Sequence, residues 1–246
     1  LDVFSNKLII DNLQHNSQVG LVSSEELDGE VKLGNGDYGV CLDPLDGSSL
    51  ADVNLTVGTI IGVYKTKSFI GVKGSEQLAA MVGEYGPSTL IFLTVGNGVA
   101  KFILDPDKEE FVFAGDGFKI NEGKMFAPGN LRACKSRSDY LELINYWCKE
   151  QYTLRYSGGM VPDIAAIILK GQGIFAYPGY EEAPEGKLRL LFECAPMSML
   201  VEQAGGSASD GVRRILDKPI IDLTQRSPIF IGSKMEVERC NKMLNS

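Results

Sequence analysis

The segment that decides the fold reads Asp43-Pro44-Leu45-Asp46-Gly47-Ser48-Ser49, and we call it the DPLDGSS segment. Its two carboxylates stand three residues apart, and the proline between them stiffens the backbone. With the Leu45 carbonyl they form an all-oxygen set of the kind that Mg²⁺ or Mn²⁺ prefers. Gly47, Ser48 and Ser49 add backbone N–H groups and hydroxyls that suit an anion. The segment therefore predicts adjoining metal and phosphate sites, and the alternative is an Asp-rich turn that caps a helix.

Further carboxylates follow apolar runs that predict strands. The first run ends at Glu25 and Glu26, the second ends at Asp43, and Glu193 follows a third candidate strand. A Glu-Glu pair alone is typical of a solvated surface. Beside a second acidic cluster it favours a metal centre, because divalent cations keep crowded carboxylates ionised at neutral pH.

Cationic residues in apolar or Gly-rich surroundings predict a second site. A chain with a formal charge of -8 needs a local positive pocket to bind an anionic substrate. Arg155, Lys187 and Arg189 are the candidates, although Arg189 equally fits an exposed edge strand. Asn121 and Lys124 could join them, and they equally fit a plain turn.

The composition excludes several classes of protein. The 246 residues, of which 44% are hydrophobic and 23% charged, exclude a disordered or fibrous chain. Lys and Arg total 24 against 32 Asp and Glu, which disfavours nucleic acid as a partner. No apolar run approaches the roughly 18 residues of a membrane span, so we expect a soluble protein without membrane contact. Five cysteines without a CxxC and a lone histidine, His15, disfavour a disulfide framework, a zinc site and a Ser-His or Cys-His pair.

The order of the predicted elements favours a layered α/β or α+β architecture, because strands and helices interleave without regular βαβ spacing. A helix is predicted near the start of the chain, and we expect further sequence before residue 1. A second helix is predicted over 76–85. The Gly-rich stretch at 115–117 is the candidate boundary between two domains, 1–116 and 117–246.

Several of these motifs together resemble the fructose-1,6-bisphosphatase and sedoheptulose-1,7-bisphosphatase family. The DPLDGSS segment is shared with the broader lithium-sensitive phosphatase superfamily, so the other segments narrow the resemblance. Those segments are 1–6 (LDVFSN), 24–26 (SEE), 154–163 (LRYSGGMVPD) and 186–193 (GKLRLLFE). The stretches 120–126 and 152–156 look more like the sedoheptulose branch. The resemblance runs through essentially the whole chain.

The resemblance implies a five-layer αβαβα fold with two mixed sheets, lacking the N-terminus of the native domain. It makes 1–116 a metal-binding sheet domain and 117–246 a sugar-phosphate-binding domain. The implied activity is hydrolysis of the C1 phosphate of sedoheptulose 1,7-bisphosphate, with Mg²⁺ as cofactor and Mn²⁺ as an alternative. A homodimer is expected. The expected compartment is the plastid in a plastid-bearing organism and otherwise the cytoplasm.

The resemblance also assigns roles residue by residue. Asp2 and Glu26 would prepare the attacking water. The implied metal ligands are Glu25, Glu26, Asp43, the Leu45 carbonyl, Asp46 and Glu193. The implied substrate-binding residues are Gly47, Ser48, Ser49 and Arg189 at the phosphate that is cleaved, and Asn121, Lys124, Arg155, Tyr156, Tyr177 and Lys187 at the distal phosphate and the sugar.

Two departures leave alternatives open. Lys124 stands where the fructose branch has a tyrosine, whereas Tyr177-Pro178 looks more like the fructose branch. A fructose-1,6-bisphosphatase is therefore the first alternative. An inositol-type monophosphatase and a catalytically inactive sugar-phosphate binder follow it.

Overall fold

The computed structural model describes residues 1–244, so the last two residues of the predicted second domain lie outside the described part. The α-helices are α1 (Asp2–Leu13), α2 (Ser48–Ala51), α3 (Ser138–Lys149), α4 (Met160–Lys170), α5 (Ala195–Gln203) and α6 (Lys234–Met243). The strands are β1 (Val19–Ser24), β2 (Glu30–Lys32), β3 (Tyr38–Asp46), β4 (Val57–Tyr64), β5 (Gln77–Tyr85), β6 (Thr89–Thr94), β7 (Ala100–Asp105), β8 (Glu110–Gly115), β9 (Met125–Pro128), β10 (Thr153–Leu154), β11 (Ile174–Tyr177), β12 (Leu188–Arg189), β13 (Ser207–Ser209), β14 (Arg226–Ser227) and β15 (Ile229–Gly232).

The first sheet has eight strands in the order β2-β1-β3-β4-β5-β6-β7-β8. Strands β1 and β3 are parallel, and Ser24 lies opposite Leu42 in their register. The N–H of Glu25 extends this pairing by donating to the Leu42 carbonyl at 3.0 Å. Because the carboxyl ends of parallel strands meet at one edge of a sheet, the acidic residues that follow β1 and those of the DPLDGSS segment emerge side by side.

The second sheet has five strands in the order β10-β9-β11-β15-β13. Its β10-β9 and β9-β11 pairs are parallel, and β15 runs antiparallel to β11 and β13. Both large sheets are therefore mixed, as the resemblance implied. A separate antiparallel pair joins β12 to β14.

The helices and sheets form five layers. Helix α1 packs on β1 and β3, and α4 and α5 contact the first sheet on β4 and β5 and the second sheet on β11 and β15. Helices α3 and α6 contact each other, and α6 contacts β13 and β15. The largest apolar cluster lies around α4 and α5, between the sheets. The predicted αβαβα architecture is thus confirmed.

The predicted helix over 76–85 is wrong, because Gln77–Tyr85 forms strand β5 between β4 and β6. Ala80 and Val82, two residues apart on one face of the strand, are buried. Leu78, two residues before Ala80, is 45% exposed. The stretch is rich in residues that favour helices, but pairing with two neighbouring strands overrides that weak local preference.

Among the described residues, no helix is long and apolar enough to cross a lipid bilayer.

Candidate functional site

The centre of the site is a group of three buried carboxylates, Asp43, Asp46 and Glu193. Their exposed fractions are 5%, 7% and 5%, and each offers an oxygen within 4.8 Å of the others. Such an oxygen-only donor set suits a hard divalent cation, whereas histidine and cysteine ligands would favour zinc. The group, which we call the acidic cluster, could therefore hold a metal ion.

The local backbone of β3 explains how the two aspartates reach the cluster. The pairing of β3 with β4 shifts between Asp43 and Asp46, where Pro44 and Leu45 form a bulge. The Leu45 N–H donates to Asp43 Oδ1 at 2.9 Å, and the Thr59 hydroxyl donates to the Pro44 carbonyl at 2.9 Å. A bulge re-aims side chains at the end of a strand, so both carboxylates can serve one centre.

Helix α4 and a π-helical turn supply the other contacts of the cluster. The Val161 N–H, at the start of α4, donates to Asp46 Oδ2 at 2.8 Å. The predicted strand near 188–192 is limited to β12, and the chain then makes the π-helical turn Leu190–Cys194, which carries Glu193. The Arg189 N–H donates to Glu193 Oε2. Turns of this kind are frequent at functional sites.

The pKa values of the acidic cluster are raised because its carboxylates are buried and close together. Burial raises the pKa of Asp43 and Glu193 well above the ordinary values, and repulsion from neighbouring carboxylates raises them further. Burial is also the main reason that the pKa of Asp46 rises to about 6, against the hydrogen bond from Val161 that lowers it. A bound divalent cation would offset both effects, because its charge favours the ionised carboxylates.

The three other predicted acidic residues lie beside the cluster. Glu25 raises the pKa of Asp43, Asp46 and Glu193 through its charge, and it accepts a 3.4 Å contact from the Arg189 guanidinium Nε. The pKa of Glu26 is raised by burial first, and then by the charges of Asp2 and Glu25. The structure thus brings all six predicted carboxylates together.

The Asp2 carboxylate stands out within this group. Its Oδ1 atom is buried and accepts no hydrogen bond from the described residues. A buried carboxylate oxygen without a donor is costly unless a ligand, a water or a proton satisfies it. Asp2 is therefore available to a donor that enters the site from outside the protein.

The end of the DPLDGSS segment turns sharply into α2. Gly47 has φ 76°, in the left-handed region that a residue with a side chain rarely adopts. Ser48 and Ser49 begin α2 directly after it, two and three residues beyond Asp46. The predicted anion-binding groups therefore follow the acidic cluster without an intervening element.

Tyr156 and Tyr177 connect the cluster to the predicted second site. Burial raises the pKa of both phenols, and each is raised further by neighbouring groups. The charge of Tyr177 raises the pKa of Tyr156, and the charge of Glu193 raises the pKa of Tyr177. Arg155 is exposed beside Tyr156, and its N–H donates to the Phe126 carbonyl at 2.9 Å. The cation-bearing segment after β10 therefore adjoins the carboxylates.

Three predicted substrate residues lie apart from the acidic cluster. Lys124 Nζ donates to the Glu150 carbonyl at 2.9 Å and lies 5.8 Å from the centroid of the Tyr152 ring. The Asn121 carbonyl accepts from the Ser233 hydroxyl at 2.6 Å. Lys187 is exposed and directly precedes β12. Within residues 1–244, no hydrogen bond or ion pair joins Asn121, Lys124 or Lys187 to the cluster.

Sequence reasoning missed two residues of the site. Asp163 is 3% exposed, its Oδ1 accepts the Ser157 N–H at 2.9 Å, and burial raises its pKa to about 6. Its charge also raises the pKa of Tyr156. Arg132 lowers the pKa of Tyr177, so its charge faces that phenol. Asp163 could have been found as an acid in an otherwise apolar helix, whereas Arg132 carries no local signal.

Comparison with known proteins assigns the family. Residues 1–116 match the family profile described as fructose-1-6-bisphosphatase, N-terminal domain, and residues 120–245 match that of the C-terminal domain. The fold and the acidic site agree with that assignment. The chain belongs to the fructose-1,6-bisphosphatase family.

Relatives named for two different substrates are similar to this chain. The chloroplastic sedoheptulose-1,7-bisphosphatase of Triticum aestivum is 43% identical over 249 residues, which are 99% of this chain and 63% of the relative. The fructose-1,6-bisphosphatase class 1 of Geobacter metallireducens is 42% identical over 100% of this chain and 78% of the relative. The structure of Leishmania major fructose-1,6-bisphosphatase in holo form has a TM-score of 0.95 and 37% identity, covering 100% of this chain and 83% of that one. The chain thus spans less than two thirds of the length of the wheat relative.

Proposed function

We propose that this chain is the catalytic core of a metal-dependent sedoheptulose-1,7-bisphosphatase that releases the C1 phosphate and leaves sedoheptulose 7-phosphate. The observation that carries the proposal is that two unlike sites lie close enough to interact electrostatically. The charge of Glu193 in the acidic cluster raises the pKa of Tyr177, and the charge of Tyr177 raises the pKa of Tyr156, which is next to Arg155. A bisphosphate needs both, because one phosphate is cleaved while the other is only held. The same proposal includes a plastid location if the source organism bears plastids and a cytoplasmic one otherwise, with a role in the Calvin cycle or the pentose phosphate pathway.

In this proposal the cluster and its neighbours perform the cleavage. Mg²⁺, or Mn²⁺, held by Glu25, Glu26, Asp43, Asp46, Glu193 and the Leu45 carbonyl, would neutralise the phosphoryl oxygens and the leaving alkoxide. Asp2 and Glu26 accept the proton of the attacking water, since the Asp2 Oδ1 atom is buried without a donor. Gly47, Ser48, Ser49 and Arg189 hold the phosphate that is cleaved.

The distal phosphate and the sugar are assigned to the second domain, residues 117–246. Arg155, Tyr156 and Tyr177 hold them, and Asn121, Lys124 and Lys187 assist. A second anion subsite disfavours an inositol-type monophosphatase, which would not need it. Six carboxylates kept in mutual repulsion disfavour a catalytically inactive binder, because a site without a cation has no reason to keep them.

A fructose-1,6-bisphosphatase is the second candidate, and it is favoured by Tyr177-Pro178, which looks more like the fructose branch. The relative named fructose-1,6-bisphosphatase class 1 is 42% identical to this chain and the one named sedoheptulose-1,7-bisphosphatase is 43% identical, so overall identity does not separate the two candidates. Both substrates share the end that is cleaved. Selectivity must therefore arise at the distal end, where the seven-carbon sugar moves its phosphate outward and adds a hydroxyl.

The substrate is tested by measuring kcat/KM for both bisphosphates in the unmodified protein and in Lys124→Tyr. We expect a higher kcat/KM for the seven-carbon substrate, and a shift toward the six-carbon one in the variant. A long flexible cation can follow a phosphate that lies further out, whereas a rigid phenol cannot. Lys119→Tyr, which changes an exposed lysine of the same stretch, is the matched control.

A preference of the unmodified protein for the six-carbon substrate by about tenfold or more would overturn the sedoheptulose assignment. That ratio corresponds to about 1.4 kcal/mol in transition-state binding. The fructose-specific candidate would then stand, with Tyr177-Pro178 as the better guide to the branch.

The distal subsite is tested with Arg155→Ala and Lys187→Ala. Each variant is expected to raise KM for the bisphosphate by about tenfold and to reduce discrimination against a C1 monophosphate, because remote binding energy positions the reacting end. Steady-state kinetics on both substrates measure this. Lys108→Ala, on the hairpin between β7 and β8, should leave both values unchanged. Unaltered bisphosphate kinetics in both Arg155→Ala and Lys187→Ala would favour the monophosphatase instead.

A further inference from the structure

Helix α6 carries a buried carboxylate that the proposed chemistry does not use. Glu236 is 2% exposed, and both of its oxygens accept hydrogen bonds. The Trp147 indole N–H donates to Oε2 at 2.9 Å, and the Tyr152 hydroxyl donates to Oε1 at 2.7 Å. Arg239, on the same helix, approaches Oε1 at 3.3 Å. A buried charge with this many directed donors fixes the side chains that surround it.

Tyr152 is the partner of Glu236 that lies nearest to the distal subsite. It directly precedes β10, and Arg155 and Tyr156 follow that strand. Its ring lies 5.8 Å from Lys124 Nζ and 6.3 Å from the Phe126 ring. Glu236 therefore anchors the residue from which the cation-bearing segment extends, and the ring beneath Lys124.

Backbone hydrogen bonds connect the β10 segment, which follows Tyr152, to the β9 segment, which follows Lys124. The Thr153 N–H donates to the Lys124 carbonyl at 2.8 Å, and the Arg155 N–H donates to the Phe126 carbonyl at 2.9 Å. Trp147, the other partner of Glu236, is fully buried, with its ring 5.3 Å from that of Phe126. The network thus ties α6 and α3 to strands β9 and β10, which Lys124 directly precedes and Arg155 directly follows.

We propose that Glu236 is a positioning residue for the distal phosphate, holding Tyr152 and through it the segment that carries Lys124, Arg155 and Tyr156. The inference rests on the proposed function for its ligand. It adds that Trp147, the single tryptophan of the chain, reports on occupancy of the distal subsite.

The kinetic test compares a bisphosphate with a C1 monophosphate. In Glu236→Gln, one of the two donors faces an amide NH₂ instead of an oxygen, so Trp147 or Tyr152 loses its acceptor. We expect kcat/KM for sedoheptulose 1,7-bisphosphate to fall about tenfold, while kcat/KM for fructose 1-phosphate stays within twofold. Tyr152→Phe keeps the ring beneath Lys124 and removes only the hydroxyl, and it should shift the same ratio by about threefold. Glu238→Gln, exposed on the same helix, is the control.

The binding test does not require turnover. Metal-free protein is titrated with sedoheptulose 7-phosphate, which carries only the distal phosphate, while the emission of Trp147 is recorded. We expect a saturable change in the unmodified protein, with the dissociation constant raised about tenfold in Glu236→Gln and unchanged in Glu238→Gln.

The outcomes separate this inference from the proposed function. If Glu236→Gln lowers kcat/KM equally for the bisphosphate and for fructose 1-phosphate, Glu236 has a general structural role and the inference is overturned. An unchanged kcat/KM for both substrates would also overturn it. An emission that does not respond to sedoheptulose 7-phosphate would also overturn it. Failure of the unmodified protein to cleave any ketose bisphosphate would overturn the proposed function, and the emission titration would still decide the role of Glu236.

Discussion

Asp46→Asn is expected to lower kcat for phosphate release by about 10³-fold or more, and chelation of divalent cations should abolish the activity of the unmodified chain. Asp46 lies at the centre of the acidic cluster, with an oxygen within 4.8 Å of those of Asp43 and Glu193. Its loss weakens the site that would hold the cation and leaves charge at the transferring phosphoryl group uncompensated. Phosphate release, measured with added Mg²⁺ or Mn²⁺ and after exhaustive chelation, tests both statements.

The free energy of unfolding of the metal-free protein shows whether Asp46→Asn is inactive because it has lost a metal ligand or because it has unfolded. The pKa of Asp46 is about 6 when folded, above the ordinary 3.8, so the folded state binds its proton more tightly than the unfolded state. This residue therefore lowers the free energy of unfolding as pH rises from about 4 to 6, and the full penalty is present at pH 7. Asp46→Asn should remove on the order of 3 kcal/mol of this penalty at pH 7 and almost none at pH 4.

Urea unfolding of both metal-free proteins at the two pH values measures this difference. A variant that is inactive and yet more stable at pH 7 has lost a ligand and kept its fold. Activity that survives chelation, or an Asp46→Asn variant with near-normal turnover, would remove the metal mechanism from the proposal.

Asp2→Asn is expected to lower kcat by about 10²-fold while KM changes less than twofold. Asp2 raises the pKa of Glu26 through its charge, and its own Oδ1 atom is buried without a donor. The amide of asparagine cannot accept the proton of the attacking water, whereas the contacts to the substrate are unaltered. Steady-state kinetics on the full-length protein measure the split between kcat and KM.

Asp11→Asn is the matched control for Asp2, because Asp11 lies on the same helix and pairs with Lys7 at the surface. It should leave both constants unchanged. A large rise in KM for Asp2→Asn would instead assign Asp2 to substrate binding, and near-normal turnover would remove it from the site.

The motifs predicted the layered fold and the family, because the information for both lies in short segments. In the DPLDGSS segment, the spacing of two aspartates, a proline and a glycine fixes a local bulge and turn. The bulge and the turn depend only on adjacent residues, and both are present in the structure. The helix predicted over 76–85 was wrong for the opposite reason, since β5 exists only because β4 and β6 pair with it on both sides.

The sequence by itself predicted which carboxylates and cations would belong to the site, and only the tertiary structure decided which of them lie together and what holds them. The Val161 N–H binds Asp46 across 115 residues, and the Arg189 guanidinium reaches Glu25 across 164. Lys124 meets Glu150 and the Tyr152 ring, and Glu236 fixes Tyr152 from the last helix. No local pattern encodes these contacts, because each depends on two elements that meet only when the sheets and helices pack. The candidate reacting groups can therefore be predicted from the motifs, while their positions follow from the burial of the layers around them.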